Sequence, residues 1–113
     1  MGRNAIMVKQ LFHIKDYWTI AVCYNADLGE ANSGFTRTDF SKRLSIVCIG
    51  LADSRAEFLN TIVHEVKHVQ SHICRYFDVP ENGEDAAYLV GYLIARMSEA
   101  FLPLICAQSY SYY

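Results

Sequence analysis

An α+β fold, a small antiparallel or mixed sheet packed on two long helices, is predicted by three observations in this 113-residue chain. Short β-branched and aromatic runs occupy the first half. Two long stretches with helical apolar spacing occupy the second. Strands first and helices after them place the helices on one face of the sheet. The length suits a single domain, 1–113. Residues 1–52 carry mainly strands, 53–78 the first helix, 83–102 the second, and 103–113 a tail.

The elements follow in order. Residues Ile6 to Ile14 alternate imperfectly and fit a strand or a short helix. Tyr17 to Tyr24 is β-branched and aromatic, hence a strand. Asn25 to Gly34 collects Asn, Asp, Gly and Ser, the composition of a loop. Gly34 to Phe40 fits a short strand. Leu44 to Leu51 is nearly apolar throughout, as expected of a strand covered by helices. Asp53 or Ser54 then caps a long helix. Its apolar stripe is Phe58, Ile62, Val66, Val69, Ile73 and Tyr76. Asp78-Val79-Pro80 ends it. Asn82 and Asp85 form a capping pair for the second helix, whose stripe is Ala86, Val90, Leu93, Met97 and Phe101. Pro103 stops that helix, and Tyr110 to Tyr113 lie in a loosely held end.

Composition excludes several classes. The chain is 52% hydrophobic with a net charge of -2, so it folds rather than remaining disordered. Lys42-Arg43 is the one adjacent basic pair, which gives no footprint for nucleic acid. No apolar run reaches membrane length, and the N-terminus has no signal-peptide pattern. Four cysteines, Cys23, Cys48, Cys74 and Cys106, form no C-x-x-C pair. Reduced, buried thiols and a cytoplasmic location are the expectation.

His64-Glu65-Val66-Lys67-His68 carries the chemistry. It reads H-E-x-x-H on a helix. Two histidines four residues apart sit about 40° apart around the axis and roughly 6 Å apart along it. Both imidazoles therefore reach one metal ion, and the glutamate between them serves as a general base. His64 and His68 lie roughly 120–160° from the centre of the apolar stripe, on a rim facing a cleft. Glu65 lies nearer the stripe, where partial screening from water suits a base.

A catalytic zinc needs a third protein ligand. His72 is roughly 12 Å along the axis from His64, too far to share an ion unless the helix breaks. It fits a cleft position better. Glu84 and Asp85 open the second helix, which an antiparallel turn brings back beside the first. Glu84, Ala87 and Gly91 share one face, and the two small residues allow close approach of the helices. Glu84 is the leading third ligand and Asp85 the alternative. Service to the helix dipole is the structural reading of both.

H-E-x-x-H followed by E-x-x-A on the next helix resembles the gluzincin branch of zinc peptidases, and the small size resembles the minigluzincins. The stretch from Gly34 to Gly91 also resembles small uncharacterised metallopeptidase-like proteins of gut bacteria and their phages. The matching parts are Asn32-Ser33-Gly34-Phe35-Thr36, the strand Leu44 to Leu51, Phe58 to Glu65, and Glu84 to Gly91. The spacer from His68 to Glu84 is short even for gluzincins, and the second subdomain of full-size members is missing.

The resemblance implies a zincin-like fold and one Zn²⁺ per chain on His64, His68 and Glu84. It implies peptide-bond hydrolysis with Glu65 as base, on a peptide or protein substrate that pairs with the Leu44 to Leu51 strand. Tyr88 or Tyr92, or else His72, would stabilise the oxyanion. Asn60 and Thr61 are candidates to orient the histidines. Two His and a carboxylate also suit Mn²⁺, Fe²⁺ or Co²⁺. Two alternatives compete: a non-enzymatic interaction module that keeps the zincin shape, and a latent enzyme whose aromatic tail covers its own cleft.

Overall fold

The computed structural model describes residues 7–14, 17–24, 34–50, 52 and 54–107, with the side chains of 7–14 and 102–107 left aside. Four strands come first: β1 (Met7–Ile14), β2 (Trp18–Tyr24), β3 (Gly34–Asp39) and β4 (Leu44–Ile49). Two helices follow, α1 (Arg55–Phe77) and α2 (Glu84–Ala107). The α+β class is as the sequence predicts, and the segment from Ile6 to Ile14 resolves as a strand. The loop expected from Asn25 onward and the tail from Tyr110 to Tyr113 lie outside the described residues.

The sheet is mixed, in the order β1-β2-β4-β3. β1 runs antiparallel to β2, β2 parallel to β4, and β3 antiparallel to β4. A parallel pair cannot be closed by a tight hairpin. The chain spends the connection from β2 to β4 on β3, which it lays on the far side of β4. This corrects one expectation. The Leu44 to Leu51 strand cannot take up an extended peptide, because both its edges are already paired, by β2 and β3. Among the described residues the unpaired edges belong to β1 and β3.

β3 and β4 are joined through a 3-10 turn, Phe40–Lys42. Asp39 caps it, accepting from the Lys42 N–H, and Arg43 closes it in the left-handed region at φ 49°. Alternation then sorts the strand residues by face. Trp18, Ile20 and Val22 of β2 and Val47 and Ile49 of β4 enter one core cluster with Phe58, Ile62, Val66, Val69 and Ile73 of α1. Leu93, Met97 and Phe101 of α2 complete it, and the Phe58 and Phe101 rings meet edge to face at 5.9 Å. Tyr76, the last member of the expected α1 stripe, is half-exposed and packs its ring against Trp18.

Ser54 caps α1, its hydroxyl accepting from the Glu57 N–H at 3.1 Å. Asp78 ends the helix at φ 58°, a left-handed conformation that aspartate tolerates better than most residues. α2 differs from expectation at both ends. Its first bond runs from the Ala87 N–H to the Gly83 carbonyl, so Gly83 takes the cap position, one place after Asn82. Pro103 does not stop α2, which continues to Ala107. A proline forfeits one backbone bond, here to the Glu99 carbonyl, and crowds that carbonyl. No described helix is long and apolar enough to cross a membrane.

Cys23 and Cys48 are register partners on the parallel strands β2 and β4, both fully buried. They, and Cys74 in α1, are free thiols. Burial pushes the Cys23 thiol up to about 12, with the adjacent Cys48 adding to the rise. Burial also raises Cys48 and Cys74. The thiolate is the reactive form. Iodoacetamide at mildly alkaline pH is therefore expected to leave Cys23, Cys48 and Cys74 unmodified in the folded chain and to label them in urea. Mass spectrometry checks this, and labelling of Cys23 without denaturant would contradict the packing described.

Candidate functional site

The site lies along the side of α1 that faces the edge strand β3. His64 and His68 are exposed there, as the stripe geometry predicts. Their Nε2 atoms stand 3.2 Å apart and their rings 4.9 Å apart. Two nitrogens on a tetrahedral ion at ordinary zinc distances stand ~3.3 Å apart. The pair therefore fits a shared divalent ion. In the absence of one, a single proton between the two nitrogens makes the same approach a hydrogen bond.

Glu65, between them, is 4% exposed. Its Oε1 accepts from the Thr36 hydroxyl of β3 at 2.7 Å, and the same hydroxyl lies 3.4 Å from the Glu65 carbonyl. A buried carboxylate needs such a donor. Gly34, two residues earlier on the same face, allows the strand to come this close. A Cβ at Gly34 would lie 2.9 Å from Thr61 Cγ2, 3.0 Å from the Cys48 carbonyl oxygen and 3.4 Å from Glu65 Cγ. Thr61 itself turns its hydroxyl to the Glu57 carbonyl, one turn back along α1, and Asn60 is exposed. No hydrogen bond from either reaches the histidines among the described residues.

His72 sits one turn beyond His68. Its Nδ1 is 2.8 Å from Thr38 Oγ1, and its ring meets the edge of Phe40 at 5.5 Å. Burial, then the nearby Arg75 and His68, lower its pKa below the usual histidine value. His72 is thus engaged with β3 rather than joined to the histidine pair.

The structure does not bring Glu84 to the pair. Among the described residues, no three His, Cys, Asp or Glu side chains form a group able to hold an ion. The reason lies in the turn between the helices. Gln70 is buried and donates its amide to the Glu81 carbonyl at 3.2 Å, while Lys67 bonds the Gln70 side-chain oxygen at 2.8 Å. Gln70 is roughly 120–160° around α1 from His64 and His68. The turn into α2 is therefore fastened to the opposite side of α1. Glu84 is exposed in the first turn of α2.

The small face expected to let the helices meet is not in the interface. Ala87 is exposed, and a Cβ on Gly91 would touch nothing within 4 Å. The helices meet instead through the bulky stripe of Leu93, Met97 and Phe101. Asp85 lines a separate cavity of about 370 Å³ with Tyr17, Ile73, Cys74 and Leu89. Tyr88 is 72% exposed, and Tyr92 accepts a hydrogen bond from Arg96. No hydrogen bond or ring contact joins either tyrosine to His64, Glu65 or His68 among the described residues.

Thr36, Thr38 and Gly34 are the site residues that the helix motif alone does not reveal. The signal for them is the two-residue spacing of Gly34, Thr36 and Thr38, a small and hydroxylated column on the inward face of a strand. Compared with models of known protein families, with curated proteins and with solved structures, the chain matches none.

Gly34→Ala forces β3 away from α1 and is expected to cost about 1–3 kcal/mol. Thr36→Val leaves the Glu65 carboxylate without its donor, a loss of similar size, about 1–3 kcal/mol. Urea unfolding measures both. Midpoints equal to the wild type would mean that β3 does not rest on Glu65.

Proposed function

We propose that the chain is a metal-dependent peptide hydrolase, with His64 and His68 as ligands to a zinc ion and Glu65 as general base. The observation that carries this reading is the spacing of the two Nε2 atoms beside a buried carboxylate on the same helix. When bound, the ion supplies Lewis-acid activation of water and of a peptide carbonyl. The chain's own residues do the rest. α1 holds the two imidazoles at a ligand spacing, and the i, i+4 relation sets that spacing without help from any loop. Thr36 orients the Glu65 carboxylate and leaves its second oxygen free to take a proton and to return it to a leaving amine.

Glu84 enters this reading as third ligand on its spacing and its E-x-x-A context. It reaches the pair only if the first turn of α2 swings around α1, which breaks the Gln70 to Glu81 bond. The substrate class, peptide or protein, and the gluzincin-like family follow from the sequence motifs, and zincin-like folding is part of the same proposal. The open edge of β3 is the strand edge nearest Glu65, so it replaces Leu44 to Leu51 as the place for an extended peptide.

A second reading has a specific observation behind it. The 2.7 Å bond between Thr36 and Glu65 ties strand to helix, so Glu65 would serve structure alone in a non-enzymatic binding module. Glu65→Gln separates the two. Glutamine keeps an oxygen that accepts from Thr36 but cannot take the proton. The hydrolase reading expects the variant to stay folded, keep its zinc and lose hydrolysis of a random peptide mixture by about 10²-fold or more. Full activity would remove Glu65 from the chemistry.

Metal content tests the site itself. Elemental analysis of protein purified without added metal should give about one zinc per chain, lost in His64→Ala and weakened in Glu84→Ala, as expected of a three-ligand site. No zinc in the wild type after zinc is supplied would leave the binding module as the better reading. Zinc retained in Glu84→Ala would transfer the third position to another group.

A further inference from the structure

Four side chains from four segments form one hydrogen-bonded chain beside the candidate site. The Trp18 indole N–H donates to Ser45 Oγ at 3.0 Å. Ser45 Oγ lies 2.8 Å from Thr38 Oγ1, which lies 2.8 Å from His72 Nδ1. Chemistry fixes the direction of the protons. The indole nitrogen only donates. Ser45 is fully buried, so its own proton needs an acceptor. Among the described residues that acceptor is Thr38 Oγ1. The Thr38 proton then points to His72 Nδ1, the remaining hydrogen-bond partner of Thr38 Oγ1 among the described residues. A neutral imidazole that accepts at Nδ1 carries its proton on Nε2. The reverse direction would strand the Ser45 proton in the core.

We infer that the Trp18-Ser45-Thr38 chain locks His72 as its Nε2–H tautomer, and that this N–H donates to a backbone carbonyl of an extended peptide laid across His64 and His68. Two features support the second half. His72 Nε2 has no hydrogen-bond partner among the described residues, while the Phe40 edge at 5.5 Å holds the ring. One helical turn separates His68 from His72, ~5–6 Å along the axis. Carbonyls two residues apart in an extended chain point the same way and lie ~6.6–6.8 Å apart. A peptide whose carbonyl sits level with His68, the nearer of the two ligands, therefore brings its next like-facing carbonyl level with His72. Burial together with Arg75 and His68 favours the neutral ring that acceptance from Thr38 requires, against the opposing pull of Glu81. The peptide in this inference rests on the hydrolase reading; the tautomer does not.

Side-chain ¹H–¹⁵N correlation spectra of the labelled full chain at neutral pH read the tautomer without any substrate. His72 is expected to show an unprotonated Nδ1 and a protonated Nε2. Thr38→Ser should keep that pattern and Thr38→Val should mix the two tautomers. A protonated Nδ1 in the wild type overturns the inference, whatever the chain hydrolyses. The donor role is read with zinc supplied and a random peptide mixture as substrate. His72→Gln, which retains an N–H near the Nε2 position, should keep most of kcat/KM. His72→Ala should lose about tenfold or more, mainly through KM. Equal rates in the two variants overturn the donor role. A wild type that neither binds nor cleaves the peptides overturns that role together with the hydrolase reading, while the spectra judge the tautomer separately.

Discussion

The seam between β3 and α1 is the constraint on which the site depends. Three inward residues of one short strand meet three residues of one helix. Gly34 makes room against Thr61, Thr36 donates to Glu65, and Thr38 bonds His72. The Gly34 contact is with the Thr61 methyl, and the other two are hydrogen bonds that satisfy polar groups burial would otherwise penalise. The strand covers the helix face that holds Glu65, while the exposed His64 and His68 project beside it. Remove the seam and a carboxylate loses both its cover and its donor in one step. The hydrophobic cluster beside it on α1 fixes the helix but says nothing about how Glu65 is oriented.

The division of labour around α1 explains what the sequence made legible. Periodicity is local, so the helix, its Ser54 cap, the buried stripe and the exposed histidine pair could all be read from residues within a few turns of one another. The shielding of Glu65 followed from the same wheel. The strands were visible as composition, but their order was not. Pairing β2 with β4 and sending β3 to the edge is a non-local choice, and nothing in Leu44 to Ile49 distinguishes an internal strand from an edge strand.

The third-ligand expectation turned on geometry that a spacing cannot supply. Sixteen residues separate Glu84 from His68 in the sequence, and that separation fits a turn on either side of α1. The choice of side is made by Gln70, a buried amide that fastens the Glu81 carbonyl away from the histidines. A buried glutamine at the border of the apolar stripe carries that information only once its partner is known. The tautomer chain is hidden for the same reason. Trp18, Thr38, Ser45 and His72 come from three strands and a helix, and each looks ordinary alone. Pro103 is a different case: the breaker rule predicts a stop there, and the helix runs on to Ala107.

The hairpin that joins β3 to β4 has a further effect. Its length is set by the 3-10 turn and by Arg43 in the left-handed region. A strand shows alternate residues to opposite sides, so a slip of one place exchanges its two faces completely. In β3 the faces could hardly differ more. One presents Gly34, Thr36 and Thr38; the other presents Phe35, Arg37 and Asp39. Loss of a single residue from the turn would set an aromatic ring or a guanidinium against Glu65 in place of a hydroxyl. Three residues of surface turn thus act as the ruler that decides whether the carboxylate meets an alcohol or a cation.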